Sequence, residues 1–186
     1  PLAVAPVFVI SGPSGVGKGT VIDRLLLAMP DLQLAVSATT RKARAHEVEA
    51  ENYYFISATD FDRHVSNGNF LEWAEVHGNR YGTLRAEIEL KSSRGPVVIE
   101  VDVQGARAIR ASKVPQHSIF IMPPNWEALE ERLRGRHTET PDELERRLVR
   151  AKQEMSEAGD YDKVVVNDVL DDTVEQMKHY ILKNLK

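Results

Sequence analysis

The sequence predicts an α/β fold built on a buried parallel sheet, and three observations carry that expectation. Runs rich in β-branched residues recur at 7–10, 97–101, 118–121 and 163–166, helix-compatible stretches fill most of the gaps, and the runs are almost continuously apolar. Alternation marks a strand wetted on one face, whereas an unbroken apolar run marks a strand covered on both, as parallel strands with crossover helices are.

The chain has 186 residues, 42% of them hydrophobic, enough for one domain with its own core. It has no cysteine, which excludes a disulfide framework, a cysteine-based zinc site and thiol catalysis. Its 24 Lys and Arg against 28 Asp and Glu give a net charge of -4, which argues against general attraction to nucleic acid or an anionic membrane. No apolar run reaches the roughly 20 residues of a membrane span. The first residues also lack the charged start and long apolar middle of a signal peptide. The expected location is the cytoplasm, with an organelle reached through a removed transit segment left open, and the expected state is a monomer or a homodimer.

After the first strand, a helix is expected from Lys18 to Met29, ended by Pro30. A second helix, 104–111, follows the strand at 97–101 directly. A third begins at Asn125, a good N-cap, and stops at Gly135. Thr140-Pro141-Asp142-Glu143 has the form of a capping box with Pro in the first helical position, so a helix is expected over 141–158. A last amphipathic helix carries Val174, Met177 and Ile181 at helical spacing, a stripe for the core. Between residues 38 and 94 the rhythm breaks, and the stretch reads as an inserted lobe. There Thr59-x-x-Asp62 is expected to start a short helix stopping at Asn67-Gly68, and 84–92 to form another. Nothing repeats internally.

The strongest motif follows the first strand: Gly12-Pro13-Ser14-Gly15-Val16-Gly17-Lys18-Gly19-Thr20, then an apolar helix. Glycines in such a loop let backbone N–H groups turn inward around a phosphate chain, the lysine supplies a charge at the β and γ groups, and the helix N-terminus adds its dipole. Strand, loop, lysine and helix in this order point to a nucleoside triphosphate. Gly19 stands where such loops usually carry the Ser or Thr that ligates Mg²⁺, and Thr20 follows it. The metal would then be held with help from Thr20, or through water and the nucleotide oxygens.

A GTPase would show an Asn-Lys-x-Asp stretch for guanine, and Val166-Asn167-Asp168-Val169 is only superficially similar. A small-molecule kinase needs a second anion site. Arg41 and Arg44 flank Lys42-Ala43 after a short apolar run, and Arg's planar fork matches phosphate oxygens bidentately. Taken alone such a cluster is more often a solvated basic turn. Tyr53 and Tyr81 could add hydroxyl donors or simply pack. The six histidines show no metal-ligand spacing.

At this point the chain resembles the guanylate kinases. The residues that carry the resemblance are the loop 11–20, Ser37-Ala38-Thr39-Thr40-Arg41 with Arg44 and Glu47, Tyr53-Tyr54-Phe55, Phe70-Leu71-Glu72-Trp73-Ala74, Tyr81-Gly82-Thr83, Asp102-x-Gln104-Gly105, Arg134-Gly135-Arg136 and Val166-Asn167-Asp168. They run in family order across nearly the whole chain. Two departures stand out: Ala45-His46 replaces the family's Pro-Gly pair, and Glu49-Ala50-Glu51 stands where a Gly usually precedes Asn52.

The resemblance implies a P-loop core of parallel sheet and flanking helices (about 1–37, 95–134 and 159–186), an inserted GMP-binding lobe (about 38–94) and a helical arginine lid (about 135–158). It implies ATP and GMP as substrates, Mg²⁺ arriving with ATP, and the reaction ATP + GMP to ADP + GDP. By the same resemblance, Gly12 to Thr20, Arg136 and Asn167 bind ATP. Ser37, Arg41, Arg44, Tyr53, Glu72, Tyr81, Thr83 and Asp102 bind GMP. Lys18, Arg41, Arg44, Arg136 and Arg147 carry catalysis. Thr20 and Asp102 are the candidates to hold the metal, directly or through water. Guanine's adjacent N1–H and N2–H donors suit the Glu72 carboxylate, whereas adenine offers an acceptor there. Glu100 shares a strand face with Asp102 and is a further candidate for the same region. The rivals are a kinase for another nucleoside monophosphate, and a non-catalytic module that binds a phosphorylated partner through Arg41, Arg44 and Tyr53.

Overall fold

The computed structural model describes residues 6–135 and 140–185. The chain enters with β1 (Val7–Ser11), buried throughout, and turns through the glycine loop into α1 (Lys18–Ala28), whose Val21, Ile22 and Leu25 form its buried face. After the short β2 (Gln33–Leu34) come β3 (Ala38–Thr39), β4 (Tyr54–Phe55), α2 (Ala58–Ser66), β5 (Phe70–Val76), β6 (Asn79–Leu84) and α3 (Arg85–Ser92). The chain returns with β7 (Val97–Glu100), α4 (Val103–Ala111), β8 (Gln116–Met122), α5 (Trp126–Arg134) and α6 (Pro141–Ser156). A single 3-10 turn at Ala158–Asp160, β9 (Lys163–Val166) and α7 (Leu170–Lys183) complete it.

Five strands form a sheet in the order β2-β7-β1-β8-β9, parallel at every pairing, with β1 at its centre. In β1, β7 and β8 the unbroken apolar runs have the expected cause, cover on both faces, whereas edge strand β9 buries Val165 and leaves Val164 and Val166 exposed. Phe8 and Ile10 pack with Ile22, Leu25, Val174, Met177 and Ile181 on the α1 and α7 face. Val7 and Val9 pack with Ile88, Val103, Ala106 and Ile109 on the α3 and α4 face. The Val174, Met177 and Ile181 stripe is buried as its spacing requires.

Capping signals locate the helices closely. Asn125 accepts from Ala128 N at 2.8 Å to start α5. At α6 the capping box is complete: Thr140 Oγ1 accepts from Glu143 N at 3.3 Å, and Thr140 N donates to Glu143 Oε2 at 2.8 Å. That helix ends at Ser156 rather than 158, because the chain tightens into the 3-10 turn. In the inserted stretch the cap is Ser57 rather than Thr59: Ser57 Oγ accepts from Asp60 N at 3.0 Å, and Asn67 closes α2. The same spacing argument applies two residues earlier, where Ser57 holds the extended backbone an N-cap needs.

The larger correction concerns the same stretch, where no strands were foreseen. It contains a second sheet of four strands, β4-β3-β6-β5, with β3 and β6, and β6 and β5, antiparallel. The β5–β6 hairpin turns at His77 and Gly78, both with positive φ, as a two-residue primed turn demands. A register shift between Phe70 and Glu72 marks a bulge in β5. Successive side chains of β5 serve two cores, with Leu71 in the main core and Phe70 packed at a tilt against Phe61 in the lobe. The two sheets are tied at Glu87, a buried carboxylate that the sequence did not single out. Glu87 accepts from Val36 N at 2.9 Å and from Tyr54 OH at 2.8 Å.

Candidate functional site

The loop between β1 and α1 is shaped for anions. Gly15 and Gly17 sit at φ of 84° and 91°, a left-handed conformation that residues with a Cβ rarely adopt. Lys18 opens α1 and donates from Nζ to Gly12 O at 3.1 Å, so its ammonium is folded back along the loop. Burial lowers its pKa, and Glu100, Glu154 and Asp102 work in the opposite direction. Gly19 faces open space, and Thr20 is exposed on the first turn of α1.

Contacts from distant parts of the chain fix the loop. Asn167, at the end of β9, donates from Nδ2 to Val16 O at 2.9 Å and accepts from Thr173 Oγ1 at 3.2 Å. Expected among the ATP-binding residues, Asn167 uses its amide here to hold the loop. Arg132 of α5 donates to the same Val16 carbonyl at 3.2 Å. From α6, Arg147 donates to Ser14 Oγ at 3.0 Å, and Glu154 accepts from Ser14 N at 3.2 Å. Arg136, the other expected lid arginine, lies outside the described residues. Arg134 and Arg150 pair within their own helices, with Glu130 and Glu154. Glu143 is the reciprocal member of the capping box, as its spacing from Thr140 predicts.

Asp102 has two functions at once. As N-cap of α4 it accepts from Gly105 N at 2.8 Å through Oδ1, and its Oδ2 lies 3.3 Å from Arg150 Nη2. Gly105 in turn brings α4 against the lobe, since a Cβ there would stand 3.1 Å from Glu72 Oε2. Glu72 is only 8% exposed and accepts from Thr83 Oγ1 at 2.9 Å on the neighbouring strand. Burial pushes its carboxyl up to about 7, with the nearby Asp102 charge adding to the rise and the Thr83 hydrogen bond opposing it. Ser37, half-buried, precedes β3 and accepts from Tyr54 N at 2.9 Å through its carbonyl.

The arginine cluster is organised by Glu47. Arg41 Nη2 lies 2.8 Å from Glu47 Oε1, and Glu47 Oε2 accepts from Arg44 N at 3.1 Å. Glu47 raises the Arg41 pKa, and Arg41 lowers that of Glu47. The Arg41 guanidinium lies 5.3 Å from the centre of the Tyr53 ring, which meets Tyr81 edge to face at 6.0 Å. Arg41, Tyr53 and Tyr81 are therefore brought together, while the Arg44 side chain stands exposed on the same turn. Glu100, the last residue of β7, has a charge that raises the Tyr53 pKa and opposes the lowering at Lys18.

Glu154, Arg150 and Arg132 were not foreseen as site residues. The signal for the first two was present: Arg147, Arg150 and Glu154 are three and four residues apart, which places them on one face of a helix.

An anion-wrapping loop with its own lysine, and an arginine and tyrosine cluster on a separate sheet, meet the needs of phosphoryl transfer between two anionic substrates. The class is that of the P-loop kinases. A family model described as Guanylate kinase matches residues 5–184, and the chain belongs to the guanylate kinase family. A guanylate kinase from Parasynechococcus marenigrum is 48% identical over 171 residues, spanning 91% of this chain and 94% of that protein. One from Mycobacterium tuberculosis is 46% identical over 180 residues, spanning 95% and 86%. The crystal structure of guanylate kinase from Anaplasma phagocytophilum matches with a TM-score of 0.76 at 34% identity, covering 99% of this chain and 88% of that one. Among the described residues no helix is long and apolar enough to cross a membrane.

Proposed function

We propose that the residues described above divide the work of ATP-dependent GMP phosphorylation as follows. The observation that carries the assignment is the buried Glu72 carboxylate, held by Thr83 on the lobe sheet that also bears Tyr81. In its ionised form it is a double acceptor for guanine N1–H and N2–H, and Ser37 and Thr83 complete recognition of the base. Arg41, Arg44, Tyr53 and Tyr81 take the GMP phosphate. Arg41 exchanges part of its bond to Glu47 for phosphate oxygens.

On the donor side, the N–H groups of residues 12–20 and the Lys18 ammonium hold the ATP phosphates, with Arg147 and Arg136 from the lid. Asn167 keeps the loop in shape from beneath. No group of three or more His, Cys, Asp or Glu suited to a metal occurs among the described residues. The metal would arrive as Mg·ATP, carried by phosphate oxygens and water, with the Thr20 hydroxyl and the Asp102 carboxylate as the candidate hard oxygen ligands, direct or through water. Bound there, Mg²⁺ supplies charge neutralisation on the phosphates.

The acceptor is an anionic phosphate oxygen of GMP, so attack needs no general base. A bond forms from that oxygen to the γ-phosphorus, the bond to the β–γ bridging oxygen breaks, and ADP and GDP result. Lys18 and the arginines contribute alignment and compensation of charge. Closure of the lobe (about 38–94) and of the lid (about 135–158) excludes water as a competing acceptor. The test is ADP release from Mg·ATP with GMP, AMP, CMP or UMP offered separately, beside a control without acceptor. Turnover with GMP alone is expected; equal turnover with AMP would remove Glu72 from the base site.

A further inference from the structure

The lid helix grips the phosphate loop through a residue that the reaction scheme above does not use. Glu154 is 8% exposed, an unusual burial for a glutamate, and its two oxygens are divided between two partners. Oε2 accepts the Ser14 backbone N–H at 3.2 Å, and Oε1 holds Arg150 Nε at 2.7 Å. Arg150 then reaches Asp102 Oδ2 at 3.3 Å, and Arg147, two turns before Glu154 on the same face, donates to Ser14 Oγ at 3.0 Å. Ser14 is thus held at its N–H and at its hydroxyl by one helix, 140 residues away in sequence. Its neighbours Gly15 and Gly17 have little intrinsic preference for the conformation they hold. A glycine loop has many accessible shapes, and a fixed acceptor at its crest selects one of them.

We propose that Glu154 is a positioning residue for the donor site: it anchors the Ser14 N–H and so sets the phosphate loop in the shape that receives ATP. Ser14 is itself exposed, so without the carboxylate its N–H turns to water, the loop is no longer held in one shape, and the N–H groups that follow it lose their alignment. The role acts through the loop and not by contact with the reacting atoms. This inference rests on the ATP and GMP reading above.

The test is steady-state kinetics with each substrate varied, on wild type and on Glu154→Ala, Glu154→Asp and Glu154→Gln, with thermal unfolding of each. Gln retains an oxygen at the same reach for Ser14 N–H, and Arg150, about half exposed, turns to solvent. Asp keeps the charge and loses the reach. The expected pattern is a loss of about tenfold to a hundredfold in kcat/KM for Mg·ATP in the Ala and Asp variants, an unchanged KM for GMP, and recovery to within about threefold of wild type in the Gln variant. Asp performing better than Gln would overturn the proposal, because charge and not position would then matter. Parallel loss for both substrates in step with lowered unfolding temperature would overturn it too, as a merely structural role. Should Ala fail to fold, the Asp and Gln comparison decides. Absence of turnover in wild type would instead refute the underlying reading.

Discussion

Thr83 Oγ1 donates to Glu72 Oε1 at 2.9 Å between paired strands of the lobe sheet, in a setting where the carboxylate is almost entirely withdrawn from water. One oxygen is thereby oriented, and the other stays close to α4 beside Gly105. A carboxylate held this way reads hydrogen-bond donors with little freedom to accommodate the wrong pattern.

Replacing Glu72 by Gln should collapse the preference for GMP over AMP. The ratio of kcat/KM values for the two acceptors is expected to fall by a factor on the order of 100 or more, because a polar site left unpaired is what rejects the wrong base. An unchanged ratio would place base recognition elsewhere.

The same residue predicts a pH dependence. Its carboxyl lies at about 7 in the free protein, above the usual 4.5. The folded protein therefore keeps a proton that the unfolded chain releases, and this residue's contribution to stability is greatest at low pH and declines as pH rises from about 4.5 to about 7. GMP needs the ionised form, so its binding should tighten as pH rises through about 7 and release a proton below it. Calorimetric titration in buffers of different ionisation enthalpy measures that proton. GMP's own phosphate titrates nearby, near pH 6, so the decisive comparison is Glu72→Gln, in which the part due to the protein should vanish.

Arg41→Ala should weaken GMP and leave Mg·ATP nearly untouched. Loss of a charged hydrogen-bond donor is worth about 1.5–3 kcal/mol, roughly 10- to 150-fold in affinity. Glu47, which Arg41 holds below the ordinary carboxylate range, should titrate closer to a normal value in the variant. Separate binding measurements for the two nucleotides check the division, and equal weakening of both would refute it.

Asn167→Ala removes the donor to Val16 O and the acceptor for Thr173. The expected result is a stability loss of about 1–3 kcal/mol in denaturant unfolding, together with a raised KM for Mg·ATP. A full loss of ATP binding with stability intact would favour direct contact with the nucleotide over support of the loop.

Some of this was legible in the residues and some was not. The core strands were readable because β1, β7 and β8 are buried almost throughout and the edge strand β9 is still a run of β-branched residues, so hydrophobicity and residue type mark them. The glycine loop and the Thr140 capping box were readable because a few adjacent residues contain the whole motif. The lobe sheet was not, since β3 and β4 are two residues each and β3 pairs with β6 some 40 residues later. A bulge at Phe70/Glu72 also breaks the alternation in β5 that would have marked it as a strand.

The sequence by itself determined the class of fold, the phosphate loop and the types of side chain available for the base and the two phosphates. These depend on periodicity, on local backbone geometry and on chemistry carried by single residues. Only the tertiary structure decided that Glu72 is buried enough to titrate near neutrality, that Glu47 holds both Arg41 and the Arg44 backbone, and that Glu154 and Asn167 fix the loop across 140 and 151 residues of chain. Burial and long-range hydrogen bonds arise only when distant segments are packed together, so no local pattern can encode them.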